Sequence, residues 1–90
     1  MARGDALFAA RDITSARLFY ERAANAGDGR AALQLGETYD PAFLARNQFI
    51  GVRDNASAAA YWYQRARELG VAEAEILLRA FAAETGRSPL

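Results

Sequence analysis

Two pairs of carboxylates, Glu73 with Glu75 and Glu37 with Asp40, are the residues whose types and spacing could perform acid–base chemistry. Such a dyad works only where the surroundings push one of the two protonation equilibria towards neutrality. Acids on an exposed helix face or at a helix cap are the ordinary alternative, and both pairs fit it. The chain has neither histidine nor cysteine, so the usual general base, thiol chemistry, disulfides and the commonest transition-metal ligands are all missing. Gly27-Asp28-Gly29 is too short and turn-like for a phosphate loop. Asp28, Asp40 and Asp54 are separated by whole predicted helices, so no calcium-binding spacing stands behind them. The inventory points away from an enzyme and calls for no cofactor and no metal.

The charges favour a solvated surface over a nucleic-acid footprint. Eleven basic and eleven acidic residues cancel, and every basic residue is arginine. Arginine suits phosphate recognition, but single arginines scattered among acids do not make the positive stripe that nucleic acid requires. Large aromatic residues are the remaining candidates for binding, above all the run Tyr61-Trp62-Tyr63.

An all-α chain of 90 residues must position these groups, and alanine, the best helix former, dominates its apolar fraction. Residues 4–10 read as a short helix carrying Leu7 and Phe8. Asp12 stands where an N-cap belongs before a helix from Ile13 or Thr14 to Asn25, in which Ala16, Phe19, Tyr20 and Ala23 form one apolar stripe. Gly27 ends that helix, and a partner helix is expected over Gly29–Tyr39. Asp40-Pro41 stops it. A helical turn is expected over Ala42–Arg46, then an extended stretch packed back by Phe49, Ile50 and Val52. Asn55 caps the next helix, Ala56–Leu69, and Gly70 ends it. A last helix over Ala72–Ala83 is expected to carry Ala74, Ile76, Leu77, Leu78 and Phe81 inward. Residues 85–90 read as a frayed tail.

These elements repeat at an interval of 43 residues. Ala16-Arg-Leu-Phe19-Tyr20-Glu-Arg22-Ala23 returns as Ala59-Ala-Tyr-Trp62-Tyr63-Gln-Arg65-Ala66, and Gly27, Ala31 and Leu35 return as Gly70, Ala74 and Leu78. A period of this size marks stacked units that cannot bury their apolar faces singly.

Ala31-Ala-Leu-Gln-Leu35-Gly36-Glu-Thr-Tyr39, followed by Gly51-Val52, Asn55, Ala59, Trp62-Tyr63, Arg65-Ala66 and Gly70, resembles one complete Sel-one-like repeat, a relative of the tetratricopeptide repeats. The resemblance covers a single domain over residues 1–85: a half repeat at 4–27, a full repeat at 31–70 and a half repeat at 71–83. Asn55 stands where the pattern has aspartate, Arg65 and Arg67 where it has lysine and alanine, and residues 41–53 form an inserted loop. The resemblance implies antiparallel helix pairs stacked as a short right-handed α-α superhelix. It implies a non-catalytic adaptor or scaffold, as such repeats are in bacteria and in eukaryotic quality control and signalling. The family's motif positions pack, cap and turn, so they bring no catalytic residue.

Trp62 and Tyr63 fall on the apolar stripe and are expected in the core. Tyr61 and its counterpart Leu18 fall off it. The candidate partner surface is therefore Leu18, Arg22, Tyr61 and Arg65, large apolar groups flanked by arginines. The partner is expected to be a protein or peptide, or a second copy of the chain forming a homodimer; burial under the N-terminal helix or inserted loop is the competing account. No stretch approaches a membrane span and the N-terminus lacks a signal-peptide core, so no membrane insertion and a cytoplasmic setting are the defaults.

Overall fold

The computed structural model describes residues 2–85. Among them are six helices and no strand: α1 (Ala2–Ala9), α2 (Ile13–Asn25), α3 (Gly29–Tyr39), α4 (Pro41–Arg46), α5 (Ala56–Glu68) and α6 (Glu73–Thr85). The all-helical expectation holds. The frayed tail was placed almost entirely on residues 86–90, outside the described residues, and Thr85 is the last residue of α6.

Four helices start on a side chain that satisfies an otherwise orphaned amide. Carboxylate oxygens of Asp12, Asp28 and Asp40 accept from the backbone N–H of Ser15, Ala31 and Ala42 at 3.2, 3.1 and 3.0 Å. The Asn55 side-chain oxygen accepts from Ala58 N–H at 3.0 Å. Helices α2 and α5 end alike, in left-handed glycines at φ +102° for Gly27 and +93° for Gly70. In each case the next two amides return to the closing turn: Gly27 to the Ala24 carbonyl and Asp28 to Ala23, then Gly70 to Arg67 and Val71 to Ala66.

Helices α1 and α4 close with the same hydrogen bonds but without glycine. Arg11 and Gln48 hold the left-handed position at φ +65° and +58°. Asp12 N–H donates to the Leu7 carbonyl and Phe49 N–H to Leu44, the bonds that complete each turn.

Helix directions follow from residues that meet. Gly29 faces Leu69, Gly36 faces Tyr63, and Asn55 N–H donates to the Tyr39 carbonyl, so α3 and α5 run antiparallel. Arg17 near the start of α2 reaches Thr38 near the end of α3, so α2 is antiparallel to α3 as well. Gly4 near the start of α1 lies on Tyr20 in the second half of α2, so α1 is antiparallel to α2 and hence parallel to α3, and Arg30 with Glu73 joins the starts of α3 and α6.

The core consists mainly of alanines, with Ile13, three leucines (Leu33, Leu35 and Leu44) and two tyrosines. Ala16, Ala24, Ala31, Ala32, Ala59, Ala66 and Ala74 have no exposed surface, while Tyr20 and Tyr63 are at most 1% exposed. Each tyrosine ring lies on a glycine. A Cβ added to Gly4 or Gly36 would come within 2.6 Å of the Tyr20 or Tyr63 ring respectively. Helix α1 thus presents a bare backbone to α2 as α3 does to α5. The equivalent position on α6, 43 residues beyond Gly36, is the exposed Arg79.

The segment between α3 and α5 packs back onto the helices, as expected, but through contacts that sequence periodicity does not reveal. Phe8 of α1 meets Phe43 and Phe49 with ring centroids 5.9 and 5.2 Å apart. The Arg11 guanidinium lies 4.0 Å over the Phe49 ring and donates to the carbonyls of Asn47 and Gln48 at 2.9 and 3.0 Å. Arg17 donates to the Arg53 carbonyl at 2.8 Å and to the Thr38 carbonyl, with its guanidinium 3.9 Å over Tyr39. Ile50, expected to pack, is instead 93% exposed, beside the turn at Gly51. Ile76, expected to point inward, is 69% exposed, whereas its counterpart Leu33 is buried. The difference is one of position: α3 has neighbours on both sides, while the described contacts of α6 are chiefly with α5.

Candidate functional site

The predicted surface is open. Leu18 on α2 and Tyr61 on α5 are 62% and 59% exposed, so neither the N-terminal helix nor the inserted residues cover them. Both stand beside residues that turn inward. Tyr20 and Tyr63 are buried, Phe19 is half-buried, and Trp62 packs half-buried against the core. The Tyr61 ring meets the Trp62 ring edge-on at 4.9 Å, which fixes its direction.

A shallow cleft of about 450 Å³ runs beside Tyr61, lined also by Asn25, Gln64, Arg65 and Glu68. Tyr61 and Arg65 therefore share one cleft with the end of α2, while Leu18 and Arg22 lie outside its lining. Arg65 is held by Glu68 at 3.5 Å, an exposed pair of small energetic worth. The Arg22 guanidinium sits 5.7 Å from the Phe19 ring centroid, and Arg3 of α1 approaches the same ring at 5.4 Å. The arginines on this side thus have aromatic or acidic neighbours yet keep donors free for a partner.

The carboxylate pairs are dispersed by their own partners. Glu73 binds Arg30 at 2.9 Å, and that bond holds its carboxyl below the ordinary value. Glu75 pairs with Arg67 at 3.3 Å and Arg79 at 3.6 Å. Asp40 caps α4 and accepts the Tyr63 hydroxyl at 2.7 Å. Burial, reinforced by the bond to Asp40, raises the Tyr63 hydroxyl well above its usual range. Tyr20 donates likewise to Asp5 at 2.7 Å, which lowers the Asp5 carboxyl.

Glu37 is the exception. It is half-buried, and desolvation raises its carboxyl to about 7, against the opposing influence of Arg30. It lines a second hollow of about 200 Å³ with Asp5, Phe8, Tyr20, Gln34 and Phe43. Sequence reasoning singled out Glu37 as half of a dyad with Asp40, but its neighbours in this hollow from other helices come from α1, α2 and α4. Nothing in the spacing of the chain signals that encounter, because it depends on how α1 is seated.

Among the described residues no group of three or more histidine, cysteine, aspartate or glutamate side chains could hold a metal ion, and no helix is long and apolar enough to cross a membrane. No family model, no curated protein and no solved structure matches the chain.

Proposed function

We propose that this chain is a non-catalytic protein-interaction module of the Sel-one-like type, its helix pairs stacked as a short right-handed superhelix. Its partner surface lies on α2 and α5 and uses Leu18, Arg22, Tyr61 and Arg65. The observation that carries this reading is the shared exposure of Leu18 and Tyr61, two large apolar residues at equivalent positions 43 apart. Each is about 60% exposed, so covering the rest would recover roughly 1–2 kcal/mol apiece. Aromatic and aliphatic groups ringed by arginine are the usual composition of such a surface.

Self-association is the second reading, favoured by the half-buried Leu77, Leu78 and Phe81 and the exposed Ile76 on α6. Sedimentation at several concentrations separates the two. A mass that rises with concentration supports a homodimer, formed through α6 if Ile76→Glu restores the monomer and through the α2–α5 surface if Tyr61→Glu does. A constant monomer supports the adaptor, provided that proteins retained from the source lysate are lost with Leu18→Glu/Tyr61→Glu but kept with Ile50→Glu. Identical retention by all three forms, with a constant mass, would sink both.

A further inference from the structure

The hollow between α1, α3 and α4 carries a different chemistry from the surface on α2 and α5. Gln34 and Glu37 bring acceptors with unspent capacity, while its Tyr20 and Gln34 donors are committed. The Tyr20 hydroxyl and the Gln34 Nε2 both donate to Asp5 Oδ1, at 2.7 and 2.8 Å. That bond fixes the Gln34 amide and leaves its buried Oε1 with no hydrogen-bond partner. The Glu37 carboxylate makes no hydrogen bond or ion pair with any described residue, although it is half-buried. Phe8 and Phe43, 5.9 Å apart and tilted, supply apolar walls. An anion would meet Asp5 and Glu37, and an apolar group would strand Glu37 in still lower dielectric.

We propose that this hollow binds an alkylammonium or guanidinium group, with Glu37 as counter-ion and the Phe8 and Phe43 rings as walls. A volume of about 200 Å³ corresponds to roughly six or seven waters at ~30 Å³ each. That is room for such a head group with part of its stem. Aromatic faces attract diffuse organic cations, and a carboxylate in a partly dry site pairs with them more strongly than one in water. Burial raises Glu37 to about 7, so the empty hollow holds a proton part of the time and a bound cation displaces it. The other charges acting on Glu37 are Arg30 and Asp40 of its own segment, Arg46 of α4 and Glu73 of α6, and Asp5 of α1 shares the hollow.

The test is a carbon-detected NMR titration of the Glu37 carboxyl and the Phe8 and Phe43 rings in the full chain. The probes are N-acetyl-arginine amide, n-butylammonium, and N-acetyl-glutamine amide as the neutral control. Both cations should give saturable shifts at pH 8, with a dissociation constant on the order of millimolar for probes so small. Affinity should fall about tenfold at pH 6, where a group titrating near 7 is mostly protonated. Tighter binding of the arginine probe assigns the site to a basic side chain of a protein, and tighter binding of butylammonium to a free amine. Glu37→Gln, nearly isosteric, should abolish the carboxyl-dependent affinity, and Phe43→Leu should weaken it while leaving the Glu37 resonance in place. Equal shifts with the neutral probe, or unchanged affinity in Glu37→Gln, would overturn the proposal. So would binding that appears only in Arg46→Ala, since the hollow would then be filled by the chain's own guanidinium. Leu18→Glu/Tyr61→Glu should bind the probes normally, which keeps failure here separate from failure of the proposed partner surface.

Discussion

The Arg11 guanidinium donates to the Gln48 carbonyl at 3.0 Å, and these two residues are the only non-glycine positions with positive φ among those described. Two left-handed turns, ending α1 and α4, are thus tied to each other. A side chain at such a position costs about 1–2 kcal/mol relative to the right-handed region. Gln48 is exposed and contributes chiefly its backbone. Gln48→Gly is therefore expected to stabilise the fold by up to about 1 kcal/mol, read as a higher urea midpoint with unchanged slope. Arg11→Gly relieves the same strain but loses two charge-assisted bonds and the contact over Phe49. It should destabilise by about 1–2 kcal/mol. Opposite signs at two similarly strained positions would separate backbone relief from side-chain loss.

Tyr63 and Tyr20 occupy equivalent places, yet removing their hydroxyls should not cost the same. Tyr63→Phe strands Oδ2 of Asp40, which is only 7% exposed, although Oδ1 keeps the Ala42 amide. A cost of about 1–3 kcal/mol is expected for an acceptor left buried. Tyr20→Phe leaves Asp5 exposed and still bound by Gln34, so its cost should stay below about 1 kcal/mol. Paired denaturation curves measure the difference.

Gly36→Ala tests close packing against helix propensity. Alanine gains about 1 kcal/mol of helix propensity over glycine, but its Cβ would enter the Tyr63 ring at 2.6 Å. Overpacking of a close contact costs about 1–3 kcal/mol, and the ring is fully buried, so net destabilisation is expected. Adding Tyr63→Leu should recover part of the loss in a double-mutant cycle; strict additivity would refute the contact.

Glu37 sets a pH dependence of stability. Its folded value, about 7, lies above the ordinary carboxylate value of 4.5. Between those values the folded state binds more protons than the unfolded chain, so stability falls as pH rises through that window. The contribution is complete below the unfolded value and lost above the folded one. Denaturation midpoints from pH 4.5 to 7.5 should decline in the native chain, and Glu37→Gln should flatten that component of the decline. A slope unchanged by the substitution would place its origin elsewhere.

Much of the fold was legible because it rests on local signals. Asp12 and Asn55 announce caps, Gly27 and Gly70 announce left-handed turns, and the predicted helix ends fall within about two residues of those observed. Other features depend on encounters between distant segments. Arg11 and Gln48 carry no glycine to mark their turns. Gly4 lies 16 residues before Tyr20 and Gly36 lies 27 before Tyr63, so the inserted segment hides the likeness between α1 and α3. Ile76 follows the same spacing as Leu33, and it stays in water because among the described residues α6 packs chiefly on α5. The outward positions of Leu18 and Tyr61 were readable from periodicity, whereas the hollow around Glu37 required the placement of α1 and α4.

Arg79 gives the molecule a direction of growth. Units can be joined where glycine lets a tyrosine ring lie on the helix backbone, as Gly4 and Gly36 do. Arg79 raises a long side chain at the next such place, so a copied unit appended to α6 would find its docking groove blocked. Anyone lengthening this chain by duplication would have to restore a glycine there first.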